Sequence, residues 1–126
     1  MANRELKKMC YLDALEDSVT AVEVTLNRLK QIEAKEGVFD DMILKNDKNK
    51  TVLDLELTLA TLCILLRKMS ENLFIKVSDE LRRDMNSIIH SNRFEYDHEI
   101  VAYSQKGRET IELDRLLKFA HSILLK

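Results

Sequence analysis

Residues 81–92 read LRRDMNSIIHSN, and three of their side chains could do chemistry together. At about 100° per residue Arg83, Asn86 and His90 share one helical stripe, while Leu81, Met85, Ile88 and Ile89 gather on the other side. Asp79 joins the polar stripe one turn earlier. A histidine can take up or release a proton near neutral pH, and an arginine can hold a phosphate and offset the charge that develops on it. An asparagine can orient the substrate or the imidazole. Such a group suits metal-free cleavage of RNA, with the neighbouring ribose hydroxyl as nucleophile. A solvated helix face produces the same pattern, so the stripe is either an ordinary wet face or a small active site.

The surrounding chain supplies helices to position it. The first is expected from Asn3, a good N-cap, to Glu36, with Gly37 as the stop. Leu12, Leu15, Val19, Val22, Leu26 and Leu29 are spaced 3-4-3-4-3 and make one apolar seam. That seam buries against the protein's own helices or against a second copy. VFDDMIL reads as a short helical turn and KNDKNK as a polar loop. Thr51 and Asp54 resemble a capping box that opens a helix over 52–76. That helix is apolar nearly all round and is expected at the centre, covered on several sides. Ser78, followed by Asp79 and Glu80, caps the helix that carries the stripe, which should end near Ser91–Asn92. In RFEYDHEIVAYSQKGRETIE, the pieces EIVAYS and RETIE flank QKG, as a small hairpin or an irregular loop would. The last helix, over 113–125, sets Leu113, Leu116, Leu117, Ala120, Ile123 and Leu124 on one face. The expected fold is all-α: one domain over residues 1–126, an up-and-down bundle of about four main helices with that insertion before the last.

Bulk properties agree with a helical globule. The chain has 126 residues, 45% of them apolar and 33% charged, with no proline and two glycines. A net charge of −2 gives no general attraction to nucleic acid or acidic lipid, so any RNA contact needs a local basic cluster. Cys10 and Cys63 both sit in apolar helical patterns and read as buried, reduced thiols. MANRELKK runs directly into charged helix, and no apolar run reaches membrane-spanning length. The resulting expectation is a cytoplasmic protein with no membrane association.

The stretch RDMNSIIH resembles the signature of the HEPN superfamily, small helical domains of which many are metal-independent ribonucleases. There four to six residues separate an arginine from a following histidine, commonly as R-N-x-x-x-H, on a late helix of a four- or five-helix bundle. Arg83 and His90 meet R-x6-H, and Asn86 holds the asparagine's place four residues before the histidine. The slot directly before that asparagine, arginine in the commoner motif, is Met85. A variable segment and a closing amphipathic helix follow, as in the family, and the likeness in topology spans Val52 to the C-terminus. The resemblance implies a homodimer whose Arg/His faces meet across a cleft, with His90 as acid/base, Arg83 on the scissile phosphate and Asn86 orienting. Arg82, Arg93, Lys106 and Arg108 either add contacts to the RNA backbone or are scattered surface charge. The implied role is an RNase-like toxin or defence effector restrained by a cognate protein partner, such as an antitoxin, with no cofactor.

Other arrangements carry less. His90, Asp97, His98, Glu99 and His121 make a metal site only on paper, because no pair has the i, i+4 spacing of a helical zinc motif; none is expected. Arg115 and His121, in RLLKFAH, repeat the arginine–histidine spacing without an asparagine. Tyr96 and Tyr103 either stack on a base or cover the bundle's end. The competing reading of the whole chain is a non-catalytic adaptor, binding a protein through the Leu12–Leu29 seam or the segment 94–110.

Overall fold

The computed structural model describes residues 2–36 and 41–125. Its elements run α1 (Ala2–Lys35), α2 (Asp41–Asn72), α3 (Asp79–Ile89), β1 (Arg93–Asp97), β2 (Glu99–Ser104), β3 (Gly107–Ile111) and α4 (Leu113–Leu124). The chain is therefore mostly helical, with a small antiparallel meander in place of the expected hairpin or loop. No helix among the described residues is long and apolar enough to cross a membrane.

α1 and α2 form a long antiparallel pair, as their cross-links show. Lys48 reaches Glu36, Arg28 reaches Asp54, and the Asn72 amide donates to the Tyr11 hydroxyl. The α1 seam turns inward: Leu15, Val22 and Leu29 are fully buried and Val19 nearly so, against Leu55, Leu59, Leu62 and Leu66 of α2 and Leu116 and Ala120 of α4. Of the two expected homes for the seam, the chain's own core takes it. Asn3 is already helical rather than a cap, and Gly37 lies outside the described residues.

α2 begins eleven residues before the expected Val52, so KNDKNK is helix and not loop. No glycine or proline interrupts this stretch, and Leu44 and Thr51 anchor it by burial. Thr51 is not a cap: its hydroxyl donates to the carbonyl of Asp47, 2.7 Å away and one turn back. At the other end α2 stops at Asn72, short of the expected Lys76. Phe74 takes a left-handed φ of 56°, and the Ile75 amide reaches back to the Ser70 carbonyl, the closing pattern of a Schellman turn. Nor is α2 covered all round, because Leu53 and Leu57 face solvent.

Ser78 does cap α3, its hydroxyl accepting from the Leu81 amide. In the sheet Phe94 pairs with Ala102, and Ile100 with Ile111, so these four apolar side chains share the face turned to the helices. Gln105 and Lys106 make the two-residue turn into Gly107, whose φ of 122° suits glycine. His98 alone turns β1 into β2, with a left-handed φ of 61°. β1 is the strand the sequence reading lacked.

The two cysteines differ. Cys63 is buried in the core, and burial, with the nearby charge of Asp84 adding to it, pushes its thiol up to about 12. Cys10, expected to be buried, is exposed near the start of α1, beside the equally open Leu6 and Met9. A maleimide or disulfide reagent should therefore label one thiol rapidly in the folded protein and the second only on unfolding. Two equally fast thiols would contradict this packing.

Candidate functional site

α3 owes its position to its apolar side. Leu81, Met85 and Ile88 are buried, Ile89 is half-buried, and the helix lies against α2 and the sheet. The opposite side carries Arg82, Arg83, Asn86 and Asp79 in solvent, and His90 follows as the C-cap with its backbone amide bonded to the Asn86 carbonyl. Arg83, Asn86 and His90 are thus brought onto one exposed strip. Among the described residues, none of their side chains makes a hydrogen bond or ion pair.

One residue of this helix breaks the simple two-sided pattern. Asp84 is buried, and its carboxylate receives both the Nε and Nη2 of Arg115 in α4, at 3.1 and 2.6 Å. This charge-assisted fork ties α4 to α3 and fixes the helix that presents the strip. Sequence spacing did not expose it, since Arg115 lies 31 residues away. A second tie runs from the Ser87 hydroxyl to the Glu109 carboxylate of β3. The alternative arginine–histidine pair is occupied elsewhere, with Arg115 on Asp84 and His121 Nε2 2.8 Å from Glu23 of α1.

The candidate RNA-binding cations divide into two groups. Arg93 pairs across the strands with Tyr103, and Tyr103 with Arg108, so the three form one row on the sheet face turned away from the helices. Lys106 stands in the adjoining turn. Arg82 sits apart on α3, about 12 Å of helical rise before His90. Within the row the Arg93 guanidinium lies 4.1 Å above the Tyr103 ring. Glu95 clasps both, accepting from Arg93 at 2.7 Å and from the Tyr103 hydroxyl at 3.0 Å. Those two donors, Arg93 first, hold the Glu95 carboxyl below its ordinary range. The Asn92 amide bonds to the Tyr103 carbonyl, which joins the end of α3 directly to this row.

Tyr96 points the other way, on the covered face. It is half-buried there, and burial and then the Glu33 carboxylate push its phenol up. It also lines a cleft of about 530 Å³ with Glu23, Lys30, His98, Asp114 and His121, whose walls do not include Arg83, Asn86 or His90. His98 Nδ1 lies 3.3 Å from Glu33. Among the described residues no group of three His, Cys, Asp or Glu side chains is placed to hold a metal ion.

The fold is a set of four helices with a three-stranded antiparallel meander, and the candidate site is an open strip of α3 followed by a basic and aromatic row. No protein-family model, curated protein or solved structure matches the chain.

Proposed function

We propose that the domain is a HEPN-like, metal-independent endoribonuclease that acts as a toxin or defence effector under the restraint of a cognate protein partner. One observation carries this reading: Arg83, Asn86 and His90 stand exposed in line, without a partner among the described residues, and the chain leads from His90 straight to Arg93. In the proposed reaction the ribose 2′-oxygen attacks phosphorus and the bond to the 5′-oxygen breaks. His90 takes the 2′-hydroxyl proton, and a protonated imidazole returns one to the departing 5′-oxygen. That second imidazole is His90 itself in turn, or His90 of a second copy in the facing arrangement that the resemblance implies. Arg83 offsets the added negative charge on the phosphoryl oxygens, and Asn86 orients the nucleotide or the ring. The products are a 2′,3′-cyclic phosphate and a 5′-hydroxyl. Arg93, Lys106 and Arg108 draw in the backbone, with Tyr103 among them.

Expression in a bacterial host tests the toxin role. The wild-type chain should arrest growth and His90→Ala, at equal protein level, should not; equal growth of both would refute it. The second reading, a non-catalytic adaptor, draws support from the outward apolar face of α2, where Leu53 and Leu57 are 62% and 70% exposed. The Leu12–Leu29 seam no longer serves that reading, since it lies in the core.

A further inference from the structure

We infer that Glu95 reads a base of the RNA, and that the base is an unpaired guanine. The inference rests on the ribonuclease reading and names the sequence feature that its substrate carries. Arg93, Tyr103 and Arg108 stand side by side across the open face of the sheet, and the Asn92 amide ties Tyr103 to the end of α3. Glu95 follows Arg93 on that same face, two residues along β1. It is exposed, and each of its oxygens holds one donor of the row. Oε1 accepts from Arg93 Nη1 at 2.7 Å, and Oε2 accepts from the Tyr103 hydroxyl at 3.0 Å.

A carboxylate is the wrong group for gathering phosphates, since it repels them and offsets a cation beside it. As an exposed partner of Arg93 it also adds little to stability. What it can do is accept from a base. An ionised carboxylate has about four acceptor positions on its two oxygens, and the row fills one on each. A second position on each oxygen makes a side-by-side pair of acceptors. Arg93 and then Tyr103 hold the carboxyl below its ordinary range, so at neutral pH it accepts and does not donate. Guanine presents N1–H and the N2 amino group side by side on its Watson–Crick edge, the matching pair of donors. Adenine and cytosine set a ring acceptor next to their amino group, and uracil flanks its N3–H with two carbonyls, so each turns a lone pair on the carboxylate. Reading that edge requires an unpaired base, as in a single strand or loop. Tyr103 supplies the stacking plane: Arg93 covers one face of the ring at 4.1 Å, and the base takes the other, toward Arg108. The ring thus holds the plane of the base, Glu95 its edge, and Arg108 with Lys106 the backbone.

Fluorescence anisotropy with short 2′-O-methyl RNA strands tests this on the full wild-type chain. Such strands lack the nucleophilic hydroxyl, so binding is measured apart from cleavage. Oligouridine is compared with the same strand carrying a central guanosine, inosine or adenosine. The guanosine strand should bind about tenfold tighter than the uridine or adenosine strands. Inosine should fall between them, because it keeps N1–H and lacks the amino group. Glu95→Gln is isosteric at an exposed position; it should keep the circular dichroism spectrum and bring all four strands within about twofold of one another. Arg108→Ala should instead weaken all four alike and preserve their order. Equal binding of the four strands by the wild type, binding of none, or a guanine preference unchanged in Glu95→Gln would each overturn the inference. The two readings fail separately. A guanine preference in a chain that leaves ordinary RNA intact would refute the ribonuclease and retain the base reading, and cleavage without base preference would do the reverse.

Discussion

Val22→Glu should unfold the protein outright. Val22 is fully buried in the middle of α1, among the Leu59, Leu62, Leu116 and Ala120 cluster that joins three helices. The substitution removes about 1.5–3 kcal/mol of apolar burial and sets a carboxylate where the surrounding cluster is apolar, at a further cost of several kcal/mol. A domain of this length has a total stability of only about 6–19 kcal/mol, so the change consumes much or all of it. Thermal melting followed by circular dichroism should show a lost or greatly lowered transition. A folded Val22→Glu chain with a near wild-type Tm would place the α1 seam at a surface, as the adaptor reading once required. Leu57→Glu is the natural control, because the same chemistry at an exposed position of α2 leaves the fold intact.

His90→Ala should lower RNA cleavage by about 10²–10⁴ while leaving the melting transition where it was. The two halves of that expectation have separate causes. The imidazole is exposed beyond the last turn of α3, so its loss opens no cavity; in the proposed reaction it moves both protons. Arg83→Ala should fall by a comparable factor, about 10²–10³, and Arg83→Lys should recover only part of it, because an ammonium lacks the planar fork. Arg93→Ala or Arg108→Ala should act differently, weakening RNA binding and its salt dependence with less effect on the chemical step. Loss of cleavage together with loss of folding in His90→Ala would break the argument, since it would make the residue structural.

Local signals were legible in the chain and distant partnerships were not. Ser78 was readable as a cap because its hydroxyl acts within three residues, and the α4 face was readable because periodicity is local. The same holds for the α3 strip: its exposure follows from the burial of Leu81, Met85 and Ile88 on the other side. The errors fall where a residue's fate is set far away. Thr51 looked like a cap, but its hydroxyl found the Asp47 carbonyl once the preceding stretch had folded as helix against α1. Cys10 looked buried in an apolar pattern, yet α1 carries it to a place where neighbouring side chains are open as well. β1 went unseen because Phe94 and Tyr96 give only two turns of alternation, and its pairing with β2 supplies the remainder of the signal. Asp84 carries no local signal of burial, because its partner Arg115 stands on another helix. Leu53 and Leu57 inflated the expected burial of α2, since composition alone does not say which apolar positions the fold covers.

For the site itself the sequence was informative about residue types and direction, less so about company. It placed Arg83, Asn86 and His90 on a common outward face, where they lie. It listed Arg93, Tyr103 and Arg108 separately, and only the strand register sets them side by side next to the end of α3. Tyr96 and Tyr103 were indistinguishable in sequence, and the pleat assigned one to the covered face and the other to the open one.

The central claim is that the α3 strip cleaves RNA without a metal, and one assay addresses it most directly. Purified wild-type chain, His90→Ala and Arg83→Ala are incubated with a single-stranded RNA in excess chelator, and the ends of the products are identified. The account predicts cleavage by the wild type alone, insensitive to the chelator and leaving 2′,3′-cyclic phosphate and 5′-hydroxyl ends. Intact RNA with correctly folded wild type, or equal cleavage by all three proteins, would contradict it.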